Sequence, residues 1–174
     1  MTPPDREEAL ATLRDGDDRL AALFARLDDE AMVRRRTIGG GEWSAKDLMG
    51  HMTLWEELAL ATIETWLRGE QARLEGGPFD GDADALNAWN EERKREWPLE
   101  RVRTEAGETH AQLLAAIERM GRDGWTHPRG FEDDRAQDDL GSELGGILGA
   151  ADGPFRHAFA HLPDLQAYVA SLGG

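Results

Sequence analysis

Trp43-Ser44-Ala45-Lys46-Asp47-Leu48-Met49-Gly50-His51-Met52 opens the segment that decides the fold. Ile38-Gly39-Gly40-Gly41-Glu42 just before it breaks any regular element. Ser44, with Asp47 three residues on, has the form of a capping box in which Asp stands where Glu is usual. Leu48, Met52, Trp55, Ala59, Ile63 and Trp66 then recur at steps of three and four, the period of one helix face. The pattern predicts an amphipathic helix that runs on until Gly69, before the Gly76-Gly77-Pro78 loop.

The same period appears on both sides of this segment. Leu10, Leu13, Leu20, Phe24 and Leu27 predict a first helix from Pro3 and Pro4 to about Leu27. Ala83 to Glu96 reads as a shorter helix carrying Leu86 and Trp89. Pro98 fits the start of a helix better than its interior, so it begins the next one, from about Leu99 to Met120, with Val102, Ala106, Leu113 and Ile117 on one face. Residues 121–139, rich in Gly, Asp and Arg, read as a long loop anchored by Trp125 and Phe131. A short helix at Leu140 to Leu148 and a last one from Asp152 to about Leu172, with Pro154 in its first turn, close the chain. Four substantial amphipathic helices predict one all-α domain over residues 1–174, an up-down four-helix bundle with extra short helices.

Composition narrows the function. The 174 residues hold 20 Lys plus Arg, 35 Asp plus Glu and no Cys, for a net charge of −15. Such a length buries roughly 70% of the unfolded chain's surface, enough for a core without staples. Absence of cysteine excludes disulfides, cysteine-ligated zinc or iron–sulfur centres and a cysteine nucleophile. Spread negative charge repels phosphate backbones and anionic membranes, so neither nucleic acid nor membrane is the expected partner. The one basic run, Arg34-Arg35-Arg36, is offset by Asp28, Asp29 and Glu30. No basic leader and no apolar run of spanning length appears, and the reading is a cytoplasmic protein acting on a small molecule.

Histidine carries the chemistry. His157 and His161 stand one turn apart on the last helix, with Cβ atoms about 5 to 6 Å apart, close enough for two imidazoles to share one ion. His51 lies about 40° around the second helix from Trp55, at the margin of its buried stripe. Facing helices are where bundles build metal sites. By spacing alone the pair reads first as two partly exposed helical histidines and only second as metal ligands.

Two quoted stretches add to this. Trp43 to Met52 resembles the "W-S-x-x-D-x-x-x-H-L" segment of DinB-like (YfiT-like) four-helix-bundle proteins, and His157-Ala158-Phe159-Ala160-His161-Leu162-Pro163-Asp164-Leu165 resembles their "H-x-x-x-H-L-P-D-L" ending. The resemblance implies a divalent metal, zinc or nickel, held by His51, His157 and His161. It also implies one of the activities found in that superfamily: thiol-dependent isomerisation or S-transfer with a low-molecular-weight thiol such as mycothiol or bacillithiol, or hydrolysis of reactive genotoxins. Relatives of this kind are often homodimers. Asp84-Ala85-Leu86-Asn87 is similar to a "D-x-x-N" stretch in some of them. No glutamate stands beside His161 as a general base.

Three imidazoles leave the +2 charge uncompensated and a fourth position open, where zinc lowers the pKa of water to about 7 or favours a thiolate. The first expectation is thiol transfer to a small electrophile; the alternatives are metal-activated hydrolysis and a non-catalytic metal- or ligand-binding bundle. Asp164, one turn beyond His161, is a candidate acceptor for its second nitrogen, or a solvated carboxylate. Tyr168 could point its phenol into the pocket or pack in the core. Asn87 and Asn90 could line the pocket mouth, or be exposed. Asp17 interrupts the apolar face of the first helix: either it faces the pocket, or Gly16-Asp17-Asp18 bends the helix and carries it to water, the second being preferred. His110 reads as a core histidine and His127 as a surface one. Trp43, Trp55, Trp66, Trp89 and Trp97 read as core or interface residues.

Overall fold

The computed structural model describes residues 4–78, 82–128 and 139–173. Among them lie eight helices and no strand: α1 Arg6–Phe24, α2 Asp29–Val33, α3 Ala45–Trp66, α4 Ala83–Lys94, α5 Leu99–Arg119, α6 Arg122–Trp125, α7 Leu140–Ile147 and α8 His157–Leu172. The long elements α1, α3, α5 and α8 form the four-helix bundle, with α3 against α5 and α1 against α8 as its main pairs.

The helices start where the side chains can satisfy their free amides. Ser44 and Asp47 make the reciprocal capping box, Ser44 Oγ accepting from the Asp47 amide and Asp47 Oδ2 from the Ser44 amide at 2.8 Å. Asp5, Asp28, Asp82 and Asp139 cap α1, α2, α4 and α7 through their carboxylates. Pro98 occupies the N-cap of α5, so it does begin that helix. Of the acids that surround Arg34-Arg35-Arg36, only Glu30 pairs with the run; Glu91 and Glu42, distant in sequence or beyond the breaker, take Arg35 and Arg36.

The last helix starts later than its composition suggests. Residues 149–156 turn through Gly153 at φ +141° and Phe155 at φ +59°, and the His157 amide reaches back to the Leu148 carbonyl at 3.0 Å. Phe155 accepts this left-handed conformation because its ring is buried and stacks on Trp125 at 5.9 Å. α8 therefore begins at His157 rather than at Asp152. The first helix stops at Phe24, and Asp28 then nucleates the separate short α2. In the stretch read as a long loop, α6 ends in the buried Trp125, whose indole donates to the Pro4 carbonyl at 2.7 Å; Phe131 falls outside the described residues.

Gly16 does not bend α1, which is continuous. A Cβ at Gly16 would stand 2.8 Å from that of Ala158, so the glycine lets α1 and α8 approach closely. The core is two apolar clusters. One gathers Leu10, Ala59, Trp66, Leu113, Ile117 and Leu144; the other gathers Leu20, Met32, Ile38, Leu48, Leu165 and Val169. Leu13 and Phe155 from the first and Leu20 and Met49 from the second line a cavity of about 310 Å³ between them. No helix of the described residues is long and apolar enough to cross a membrane.

Candidate metal centre

α3 and α8 bring the three predicted histidines together. The Nε2 atoms of His51 and His157 lie 3.1 Å apart, and those of His161 and His157 also 3.1 Å. The ring centroids are 4.9 Å apart in each pair, with the planes steeply inclined, so the nitrogens converge on one point. The group could hold a metal ion, and its candidate donor atoms all lie within 4.8 Å of one another.

Local sequence explains this placement. His157 is the first residue of α8, so its ring comes off the end of the helix, and His161 follows one turn later on the same face. His51 sits on the inward side of α3 beside Gly50, against which a Cβ would meet the stem of Lys94 at 3.3 Å. That close approach lets α4 lie on α3. Asn90 Nδ2 donates to the Gly50 carbonyl at 3.0 Å from a buried position, and Asn87 Oδ1 accepts from His51 Nδ1 at 3.0 Å.

The Asn87 bond decides what the ring can do. A carbonyl oxygen accepts only, so His51 carries its proton on Nδ1 and presents a bare lone pair at Nε2. Burial, then the neighbouring His157 and His161, push the His51 imidazole down to about 3. Burial followed by His161 pushes His157 down to about 4, and burial lowers His161 against the opposing charge of Asp164. Three neutral rings thus bring their Nε2 atoms together, with the His51 lone pair aimed at His157. His157 Nδ1 is buried without a hydrogen-bond partner. This donor set fits a borderline divalent ion such as zinc or nickel.

Trp43 and Trp55 stand at the site, with ring centroids 4.8 and 6.4 Å from that of His51. Neither is simply a core or interface residue; both cover the imidazole. Of the remaining tryptophans, Trp66 is buried in the core and donates to the His127 carbonyl at 3.1 Å, while Trp89 and Trp97 are half-buried under arginine guanidinium groups. The His127 side chain is exposed.

Several candidate residues lie elsewhere. The Tyr168 hydroxyl donates to the Ala31 carbonyl at 2.8 Å, which buries the phenol against α2 and away from the histidines. Asp164 is exposed, with Oδ2 where a Cβ on Gly39 would meet it at 3.0 Å, and has no hydrogen bond to His161. Asn90 is a strut between α4 and α3 instead of a pocket-mouth residue. Asn87 does reach the site, as the orienting partner of His51.

The bend expected at Gly16-Asp17-Asp18 is corrected by the continuous α1, while the Asp17 carboxylate does reach water in part. Asp17 lines the cavity, half-exposed, with Glu56 and His157 in the same lining. Its carboxyl is pushed up by burial, against the charge of His110 and with that of Asp18. Sequence reasoning missed the contact behind this, since His110 Nδ1 donates to Glu56 Oε1 at 2.7 Å and His110 Nε2 lies 3.7 Å from Asp17 Oδ2. A signal existed: Glu56 follows Met52 by one helical turn, so it puts a carboxylate on the buried stripe.

A sequence profile of the DinB superfamily matches residues 12–148. No curated protein matches the chain. Among solved structures, an uncharacterised protein from Escherichia coli UTI89 superposes with a TM-score of 0.77 at 15% identity, over 99% of this chain and 96% of the other. The colibactin self-resistance protein ClbS, solved in complex with a dsDNA, gives 0.71 at 18% identity over 95% and 98%. The mycothiol-dependent maleylpyruvate isomerase gives 0.67 at 16% identity; the match covers 95% of this chain but 63% of that longer one.

Proposed function

Because the chain belongs to the DinB superfamily, we propose that it is a metal-dependent enzyme in which His51, His157 and His161 hold zinc or nickel and a small electrophile is attacked by a low-molecular-weight thiol. The observation that carries this reading is the convergence of three imidazole Nε2 atoms with no fourth His or acidic side chain grouped with them among the described residues. A structural zinc site is closed by four ligands, whereas three leave room for a reactant. The absent cysteine means that any sulfur nucleophile must arrive on a small molecule. Bound in this set, the ion would supply an uncompensated +2 charge that favours the deprotonated form of a thiol or of water.

The chain's own residues do the rest. Asn87 holds the His51 tautomer, and Trp43 with Trp55 keeps water from the ring faces. The cavity beside His157, lined by Leu20, Phe24, Met49 and Met52, suits an apolar substrate body. The net charge of −15 weighs against a nucleic-acid partner. The similarity to the mycothiol-dependent isomerase supports thiol transfer over hydrolysis.

The test uses zinc-loaded and nickel-loaded protein with two model electrophiles, monochlorobimane and styrene oxide, each with and without mycothiol, bacillithiol and glutathione. Turnover that needs both metal and thiol, and that is lost in His51→Ala, is the expected result. Styrene oxide opened in water alone would favour metal-activated hydrolysis, and metal binding without turnover would favour a sequestering bundle.

A further inference from the structure

Glu56 occupies a place where an apolar residue would cost less. It stands on the inward face of α3, its side chain only 12% exposed, in the wall of the cavity that His157 also borders. Burying a carboxylate beside a histidine rarely adds net stability, so such a pair at a cavity points to chemistry more than to folding. The Glu56 carboxyl is raised by burial, against the hydrogen bond and charge of His110 and with the charge of Asp17. Burial opposes protonation of His110, yet the bond to Glu56, its charge and those of Asp17 and Asp18 carry the imidazole above its ordinary value. Arg103, on the α5 side of the cavity, is engaged with Asp29 at 2.9 Å. The three groups come from α3, α5 and α1, and they run from the enclosed wall at Glu56, through His110, to Asp17, whose side chain is 49% exposed.

We propose that Glu56 is the proton-transfer residue for a reaction in this cavity, with His110 and Asp17 positioning it and linking it to solvent. The proposal rests on the reading that the cavity takes the electrophile, and it names a substrate class: small apolar electrophiles whose leaving or accepting atom is an oxygen. When a thiol opens an epoxide, the S–C bond forms, a ring C–O bond breaks, and the electron pair goes to oxygen, which needs a proton. The His110 imidazolium passes its proton to the Glu56 carboxylate, Glu56 hands a proton to that oxygen, and the imidazole is reprotonated from solvent on the Asp17 side. The thiol's own proton goes to solvent, so the sum is addition of the thiol across the C–O bond. A chloride leaving group needs no such proton.

The two model electrophiles separate this role from a structural one. With zinc-loaded protein, Glu56→Gln should lower styrene oxide turnover about 100-fold, the ordinary reach of general acid–base catalysis, while monochlorobimane turnover stays within about twofold. Glu56→Asp should recover part of the loss, and metal content should match wild type throughout. Equal loss on both electrophiles, or loss on neither, would overturn the proposal. A second measurement does not need turnover. Benzyl alcohol, whose hydroxyl mimics the opened oxygen, should shift the side-chain carboxyl carbon resonance of Glu56 in the zinc-loaded protein. A silent resonance overturns the proposal, whereas a shifted one in protein that turns over neither electrophile overturns the thiol-transfer reading and upholds Glu56 as the group that meets the ligand's oxygen.

Discussion

Two histidine environments border one cavity in this bundle, and their protons are held in opposite ways. His51, His157 and His161 face one another; burial makes each protonation costly, and the charge of the neighbouring rings adds to it at His51 and His157. His110 is half-buried, yet Glu56, Asp17 and Asp18 more than offset that burial and keep it protonated to higher pH. The same side chain becomes a bare lone pair in one place and a proton donor in the other. Burial alone therefore does not set the role of a histidine; its partners do.

The largest expected difference between the two regions is the response to metal. An ion that binds only the folded chain stabilises it by about 4 kcal/mol when free metal is a thousand times its dissociation constant. Thermal melts of zinc-loaded protein with and without a chelator should show that shift in wild type and in His110→Asn, and lose it in His157→Ala.

The pH dependence of the metal-free chain should split along the same line. The three clustered histidines have folded-state values below their ordinary 6.5. Their contribution to stability is thus present above 6.5 and lost as pH falls toward about 4 and then about 3, because the unfolded chain takes up protons that the fold excludes. His110 has the reverse sign: its contribution is complete below its ordinary 6.5 and is lost as pH rises through its raised folded value. Melting temperatures across this range should fall on both sides. His51→Ala should flatten the acid side and His110→Asn the alkaline side; a slope unchanged in the matching variant would break the comparison.

Asn87 tests whether the lone pair on His51 is held in place. Removal of an outer partner of a ligating histidine typically costs 10- to 100-fold in metal affinity, so Asn87→Ala should weaken zinc binding by that factor in a competition titration and leave the fold intact. The smallest effect belongs to the other region. Glu56→Leu with His110→Leu should change stability less than the sum of the single changes, with a coupling of about 0.5 to 3 kcal/mol in denaturant melts, since each single change strands a buried partner.

The sequence made the bundle and the metal cluster legible for different reasons. Spacing at three and four exposed the long helices because their apolar stripes are nearly unbroken, and Ser44 with Asp47 marked the start of α3. The short α2 escaped notice because five residues cannot display a period. The start of α8 is not legible in the sequence because the left-handed turn at Phe155 is enforced by tertiary packing on Trp125, which no local signal announces. His157 and His161 declared themselves by spacing, and His51 through its surrounding motif. The pairing of Glu56 with His110, 54 residues apart, depends on how α3 meets α5. Gly16 beside Asp17 has the form of a helix breaker in sequence, whereas in the fold it admits the side chains of Ala158 and Phe159 from α8.

The central claim is that His51, His157 and His161 form one metal site, and elemental analysis of protein purified without a histidine tag tests it most directly. The structure predicts close to one zinc or nickel per wild-type chain, far less in His51→Ala, His157→Ala and His161→Ala, and an unchanged amount in His127→Ala. Equal metal content in all five proteins, or none in the wild type after saturation with either ion, would contradict it.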